Sequence, residues 1–277
     1  MTEGISVGQM RALALQKIDR KISTMARSRR KQSPNGTAAT TTKASSTKTS
    51  KNSNQNPFER IDENMLNPKN DSFRYQTLES LHDGSVYCAR GFLSASECRA
   101  WINFMQSSAV SKVSHPASRW IAHRECYRWQ RNDWWSMADA LFERLRPVLE
   151  RDIVAPDLFR FPPGYQPVGC NGNIRLYKYE KSMSFGRHID ESNQTVRGNT
   201  EVTVLVYLSD CQGGATRFYP PTAKRRRESS FAFAPEAGAI LLHVHGDRCL
   251  EHEADPVEGG TKYVLRTDLV FGTPPPS

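Results

Sequence analysis

From residue 173 onward, apolar and polar positions alternate in short runs with a period of two. The runs occupy 173 to 180, 184 to 190, 201 to 208, 215 to 219, 230 to 234, 238 to 244 and 262 to 271. They are rich in Val, Thr, Tyr, Leu and Phe and are broken by Gly, Asn, Asp and Pro, which predicts strands. Strands at this spacing form a sandwich or small barrel, not βαβ units. In the last run Lys262, Val264, Arg266 and Asp268 alternate with Tyr263, Leu265, Thr267, Leu269 and Phe271, so one face is apolar and the other carries cations. Either those cations face solvent, or the apolar face packs on helices and they point into the barrel. In the second case they require an anion.

Ahead of these strands the period is helical. Ser94 and Glu97 form an S-x-x-E capping box before Ala100, Trp101, Phe104 and Met105, which predicts a helix over about 95 to 107. Asn132 and Asp133 can cap a second helix running to about 150, with Trp135, Ala138, Leu141, Leu145 and Val148 on its apolar face. The loop FPPGYQP at 161 to 167 ends the helical part. Trp120, Tyr127, Trp129, Trp134 and Trp135 are expected to pack in the helical layer; the rival reading is a substrate groove. The fold class is therefore mainly β with supporting helices. The chain shows no internal repeat and no GxxxxGK phosphate loop.

Composition changes this picture only at the amino-terminal end. Residues 32 to 56 contain nothing able to anchor a core and are expected to be disordered. Residues 6 to 26 have loosely helical apolar spacing and run into the basic 27 to 31, which reads as a partly formed surface helix, a nuclear or organellar address, or a membrane-surface helix. The domain plan is a basic, largely disordered tail over 1–71 and one globular domain over 72–277, with helical support at 72–165 and the strand core at 173–271. Residues 1–56 hold 11 Lys and Arg against Glu3 and Asp19, so the +9 formal charge lies there; 27 basic and 27 acidic residues balance in the remainder. Contact with nucleic acid is thus expected only through the tail. The KRRR run at 224 to 227 reads as a solvated loop, with a localisation signal as the alternative.

Six scattered cysteines, Cys88, Cys98, Cys126, Cys170, Cys211 and Cys249, have no CxxC pair and suggest free thiols. No signal peptide and no apolar run of about 18 residues are seen, so an intracellular location, cytoplasmic or nuclear, without a membrane span is expected.

The chemistry resides in histidine and carboxylate spacing. A histidine and an acid two apart on a strand point the same way and can offer two of the three ligands of an iron(II) oxygenase. His188-Ile189-Asp190, His123-Arg124-Glu125 and His245-Gly246-Asp247 all have that form. Only His188 follows a glycine on a predicted strand and has a later histidine, His252, on a separate segment. His82 and His115 carry no partner pattern.

The run R-L-Y-K-Y-E-K-S-M-S-F-G-R-H-I-D ending at Asp190, then T-V-L-V-Y-L-S-D from Thr203, then G-G-A-T-R-F-Y from Gly213, then His252 with Lys262 ten residues on, resembles the prolyl 4-hydroxylase type of 2-oxoglutarate and iron(II) dioxygenase. The similarity covers about residues 85 to 271 and is dense from 173. It implies a double-stranded β-helix, or jelly roll, with iron held by His188, Asp190 and His252. It also implies that Lys262 pairs with the far carboxylate of 2-oxoglutarate and that Tyr179 and Thr216 donate hydrogen bonds to the co-substrate. Arg266 is an additional candidate that the pattern does not require, and no catalytic residue beyond the metal ligands is implied. Fe(II), 2-oxoglutarate and O2 follow as cofactor and co-substrates, with ascorbate as reductant. Asp190 at the carboxylate position implies hydroxylation, not halogenation. The substrate is a peptidyl, prolyl-like or small molecule; the alternatives are an alkylated nucleic acid, or a binding protein on the same fold without catalysis.

Overall fold

Short runs of β-branched and aromatic residues bounded by turn formers settle as extended chain, and strands dominate the structure. The computed structural model describes residues 77–82, 84–150, 159–221 and 230–273, all within the second of two units, Asn54–Ser277. The tail over 1–71, including 6 to 26, 27 to 31 and 32 to 56, and the KRRR run lie outside the described residues.

In chain order the elements are β1 (Glu79–His82), β2 (Val86–Ala89), α1 (Ala95–Ser107), β3 (Ser111–His115), β4 (Arg124–Arg131), α2 (Trp135–Glu150), β5 (Gln166–Cys170) and β6 (Ile174–Tyr179). They continue with β7 (Phe185–His188), β8 (Gln194–Thr195), β9 (Gly198–Tyr207), β10 (Cys211–Gly213), β11 (Thr216–Tyr219) and β12 (Phe231–Phe233). The last are β13 (Ile240–Val244), β14 (Glu251–Ala254), β15 (Val257–Gly260) and β16 (Lys262–Gly272). One curled antiparallel sheet runs β1-β2-β13-β9-β16-β6-β4-β7-β14-β11-β12, and β10 pairs with β15 beside it. This is a double-stranded β-helix: the wall β13-β9-β16-β6 and the wall β7-β14-β11-β12 face one another.

The outward face of the first wall holds the main core. Val202, Val204, Val206, Ile240, Leu242, Leu265, Leu269 and Phe271 pack in one cluster with Trp101, Phe104, Met137, Leu141 and Leu145 of the helices. Helix α1 forms as its capping box requires. The Glu97 N–H donates to Ser94 Oγ at 3.3 Å, and the Ser94 N–H donates to the Glu97 carboxylate at 2.6 Å. Glu97 also ties the helices together, because Arg144 of α2 donates to it at 3.0 Å and to the Phe92 carbonyl at 2.9 Å.

Three local expectations change. Asn132 and Asp133 do not cap α2: Asn132 accepts from Gln130, and Asp133 pairs with Arg131 at 3.5 Å. The helix starts at Trp135, and the Ala138 N–H closes on the Trp134 carbonyl at 3.0 Å. The stretch between the helices, within the segment expected as helical support, is instead the hairpin β3/β4, which adds strands to the sheet beside β6 and β7. Its strand β4, RECYRWQR, has charged residues on both faces and its two buried residues, Cys126 and Trp129, on opposite ones, so no period-two contrast reveals it. Trp129 and Trp134 are core, packed edge-on with centroids 5.9 Å apart, whereas Trp120 is 72% exposed. All six cysteines are free. Among the described residues no helix is long and apolar enough to cross a membrane.

Candidate metal centre

Strands β7 and β14 are antiparallel neighbours, and His188 and His252 are direct cross-strand partners. That register sets their rings side by side, centroids 4.2 Å apart. Asp190 follows β7 by two residues. Its backbone is fixed at both ends, the N–H donating to Cys249 Sγ at 3.4 Å and the carbonyl accepting from the Gly246 N–H at 2.9 Å. His188 Nε2 lies 3.8 Å from Asp190 Oδ1, and His252 Nε2 lies 3.8 Å from Asp190 Oδ2. The three side chains offer ligand atoms all within 4.8 Å of one another.

Both imidazoles are oriented from behind. His188 Nδ1 donates to the Gly186 carbonyl and His252 Nδ1 to the Leu250 carbonyl, each at 2.9 Å. A carbonyl can only accept, so both Nε2 lone pairs face the cavity, the arrangement a metal-binding histidine needs. The glycine before His188 has a steric reason. The Gly186 N–H donates to the His123 carbonyl at 2.7 Å, and a Cβ at 186 would come within 3.3 Å of the His123 nitrogen. The other two His-x-acid pairs join no such cluster among the described residues. His123 serves this backbone contact at the edge of β4, and His245 is buried with Nδ1 on the Thr200 carbonyl at 3.0 Å.

Charge suits the donor set. Burial would raise the Asp190 carboxyl, but Arg266 beside it, followed by the surrounding histidines, holds it well below the usual carboxylate range. Arg266 donates to Asp190 Oδ2 at 2.9 Å and Thr203 Oγ1 donates to the same oxygen at 2.7 Å. Burial, and next the neighbouring His252, push His188 down to about 3 against the pull of Asp190. Burial also lowers His252. Two neutral imidazoles and one ionised carboxylate fit a divalent first-row metal.

The same cavity is lined by Tyr179, Thr216, Lys262 and Arg266. Lys262 is 2% exposed, and its Nζ donates to the Gly214 carbonyl at 2.6 Å. The rings of Tyr179 and Tyr207 lie 5.5 and 5.6 Å from Nζ. Among the described residues no carboxylate lies within ion-pair distance of it. Burial pushes its ammonium down to about 8. Gly214 has φ +64, and a Cβ there would press on Lys262 Cδ at 3.3 Å, so glycine keeps this seat open. Thr216 Oγ1 is 2.7 Å from the Tyr207 hydroxyl. Arg266 is differently placed from Lys262: it lies between Asp190 and Asp268, 3.4 Å from the latter, and is already neutralised.

Two further residues lie at the site without having been singled out from the sequence. His243 of β13 is 2% exposed and its Nε2 is 3.7 Å from Asp190 Oδ2. The only sequence signal is a polar residue inside the apolar run ILLHV. Arg124 of β4 lies 3.5 Å over the Phe185 ring, which in turn stacks on His188 at 3.7 Å.

A double-stranded β-helix with a His/Asp/His cluster lining its cavity has a donor set able to hold a divalent metal. Residues 174–267 match the family described as the 2OG-Fe(II) oxygenase superfamily; this segment is an oxygenase domain of that superfamily, and the protein is an iron(II)- and 2-oxoglutarate-dependent dioxygenase. Three solved structures are similar. The viral collagen prolyl hydroxylase of Paramecium bursaria Chlorella virus-1 shares 18% identity over 66% of this chain and 94% of its own, with TM-score 0.45. The Pseudomonas putida prolyl-4-hydroxylase shares 17% over 67% and 92%, with TM-score 0.45. The Trichoplax adhaerens prolyl hydroxylase, solved with a hypoxia inducible factor peptide fragment, shares 19% over 68% and 84%, with TM-score 0.46. No curated protein matches the chain.

Proposed function

We propose that the protein hydroxylates a C–H bond of its substrate at iron(II) held by His188, Asp190 and His252, while 2-oxoglutarate is converted to succinate and carbon dioxide. The observation that carries this reading is the pairing, in one cavity, of three metal donors with a buried ammonium that has no carboxylate partner among the described residues. Bound iron(II) supplies open coordination positions for co-substrate and dioxygen and the oxidising power for the C–H bond. The chain's own residues do the rest. Lys262 takes the far carboxylate of 2-oxoglutarate, and Thr216 and Tyr179 offer hydroxyl donors along the way. Arg266 and Thr203 keep the outer oxygen of Asp190 occupied, which leaves its other oxygen for the metal.

Peptidyl or free prolyl groups are the first substrates to test, with small metabolites and alkylated nucleic acids next. The basic residues 1–56 are the part of the chain suited to nucleic acid, and six free thiols support a reducing compartment such as cytoplasm or nucleus. The test is succinate formation by purified protein given iron(II), ascorbate and 2-oxoglutarate without a prime substrate. Slow turnover that disappears in His188→Ala is expected. Absence of both turnover and bound iron in the wild type would favour a jelly-roll binding protein.

A further inference from the structure

Inside the barrel, His188, His245 and His252 are each clamped by a backbone carbonyl at Nδ1, those of Gly186, Thr200 and Leu250, at 2.9, 3.0 and 2.9 Å. His243 is the exception. It is 2% exposed, and neither of its ring nitrogens has a hydrogen-bond partner among the described residues. A buried imidazole with both nitrogens unsatisfied is costly, so the ring calls for a partner that arrives after folding. That partner is not the metal of the triad. The Asp190 oxygen that His243 Nε2 approaches, at 3.7 Å, is Oδ2, which Arg266 and Thr203 already hold at 2.9 and 2.7 Å.

His243 belongs instead to a donor set with Cys249 and His252, whose ligand atoms all lie within 4.8 Å of one another. Cys249 is a free, buried thiol with Sγ 3.9 Å from His252 Nδ1, and the His243 and His252 ring centroids are 4.4 Å apart. The Asp190 N–H donates to that sulfur at 3.4 Å. An N–H directed at sulfur favours the thiolate form that binds metals and leaves sulfur lone pairs for the ion. Tetrahedral zinc, with nitrogens at about 2.1 Å and sulfur at about 2.3 Å, holds its donors about 3.4–3.6 Å apart. Shifts of about an ångström bring the three side chains to that spacing. The cavity lined by His243 and His252 gives the ion its way in.

We infer that His243, Cys249 and His252 form a second metal site, selective for the thiophilic divalent ion zinc(II), that competes with iron. Ligand chemistry separates the two sites: the triad adds a hard carboxylate to two imidazoles, and this set adds a soft thiolate. His252 is common to both. Zinc on its Nε2 removes a donor of the iron, and zinc on its Nδ1 displaces the proton by which the Leu250 carbonyl holds the ring. The site stands on its own geometry, whereas its competition with iron rests on the proposed triad. Zinc bound here inhibits the oxygenase without occupying the position where iron works.

The test adds one equivalent of Zn(II) to the full chain and counts its neighbours by X-ray absorption. One sulfur and at least two imidazole nitrogens are expected; a shell of nitrogen and oxygen alone would overturn the inference. Cd(II) gives a second readout. Its ultraviolet sulfur-to-metal charge-transfer band should appear in the wild type and in His188→Ala, vanish in Cys249→Ser, and require at least about tenfold more Cd(II) in His243→Phe. A band that survives in Cys249→Ser assigns the thiolate to another cysteine, and a band lost in His188→Ala assigns the ion to the triad; either result overturns the site. If the phenylalanine variant does not fold, His243→Gln replaces it, and the wild-type zinc spectrum needs no variant. Fe(II) affinity separates the two ideas. Wild-type Fe(II) binding by His188→Ala would sink the triad and leave the thiolate site standing, whereas loss of Fe(II) there with no sulfur around zinc sinks only the second site.

Discussion

Strand β16 has two faces with opposite duties. Outward, Tyr263, Leu265, Leu269 and Phe271 are buried against the helices in the main core. Inward, Lys262, Val264 and Arg266 line the cavity, and Asp268 lies beside Arg266. Successive residues one peptide apart thus serve packing and chemistry on opposite sides of one strand. The pleat lets the inner face carry buried charge, because the outer face supplies the apolar burial that stabilises the strand.

Substitutions on the two faces should separate stability from activity. The largest effect belongs to the inner side: Asp190→Ala should lose bound iron and all iron-dependent succinate formation, and near-normal turnover would refute the ligand assignment. On the outer face, Leu265→Ala should lower unfolding free energy by about 2–5 kcal/mol in denaturant titration, the usual cost of a buried leucine cavity, while the apparent 2-oxoglutarate KM stays unchanged. A large KM shift in that variant would show that the faces are not independent.

Lys262→Ala should raise the 2-oxoglutarate KM by about two orders of magnitude, as when a buried charge loses its partner, and leave the iron requirement nearly as it was. An unchanged KM would transfer the role to Arg266. The free Lys262 ammonium titrates at about 8 instead of 10.5, so affinity for the dianion should fall as pH rises through about 8. From there to 10.5 the unfolded chain keeps a proton the folded one has lost, so this group makes stability rise with pH. A 2-oxoglutarate KM that is flat from pH 7 to 9 would count against Lys262. The smallest effect is expected far from the cavity: Ser94→Ala should cost about 1 kcal/mol through the lost helix cap, with kinetics unaltered.

Where neighbouring positions contrast, the structure is readable from the chain alone. The alternation in β16, the capping box at Ser94 and Glu97, and His188-Ile189-Asp190 after a glycine all carry their own local signal. His243 does not, because β13 is buried on both faces and ILLHV reads as a continuous apolar strand in which one histidine changes nothing. Strand β4 is hidden for the opposite reason. Its charges are absorbed laterally, Glu125 by Lys112 at 3.1 Å and Arg124 by the Phe185 ring, contacts that exist only once distant segments meet. The start of α2 is hidden similarly, since Asn132 and Asp133 look backward to Gln130 and Arg131.

The cross-strand pairing of His188 with His252 has a consequence for how the chain folds. Side chains alternate across a sheet, so a slip of β14 by a single residue turns His252 out of the barrel and leaves the proposed chelate without one arm. Metal bound in the finished site therefore acts as a proofreader of strand alignment: it stabilises the one pairing in which both rings point inward and does nothing for its shifted competitors.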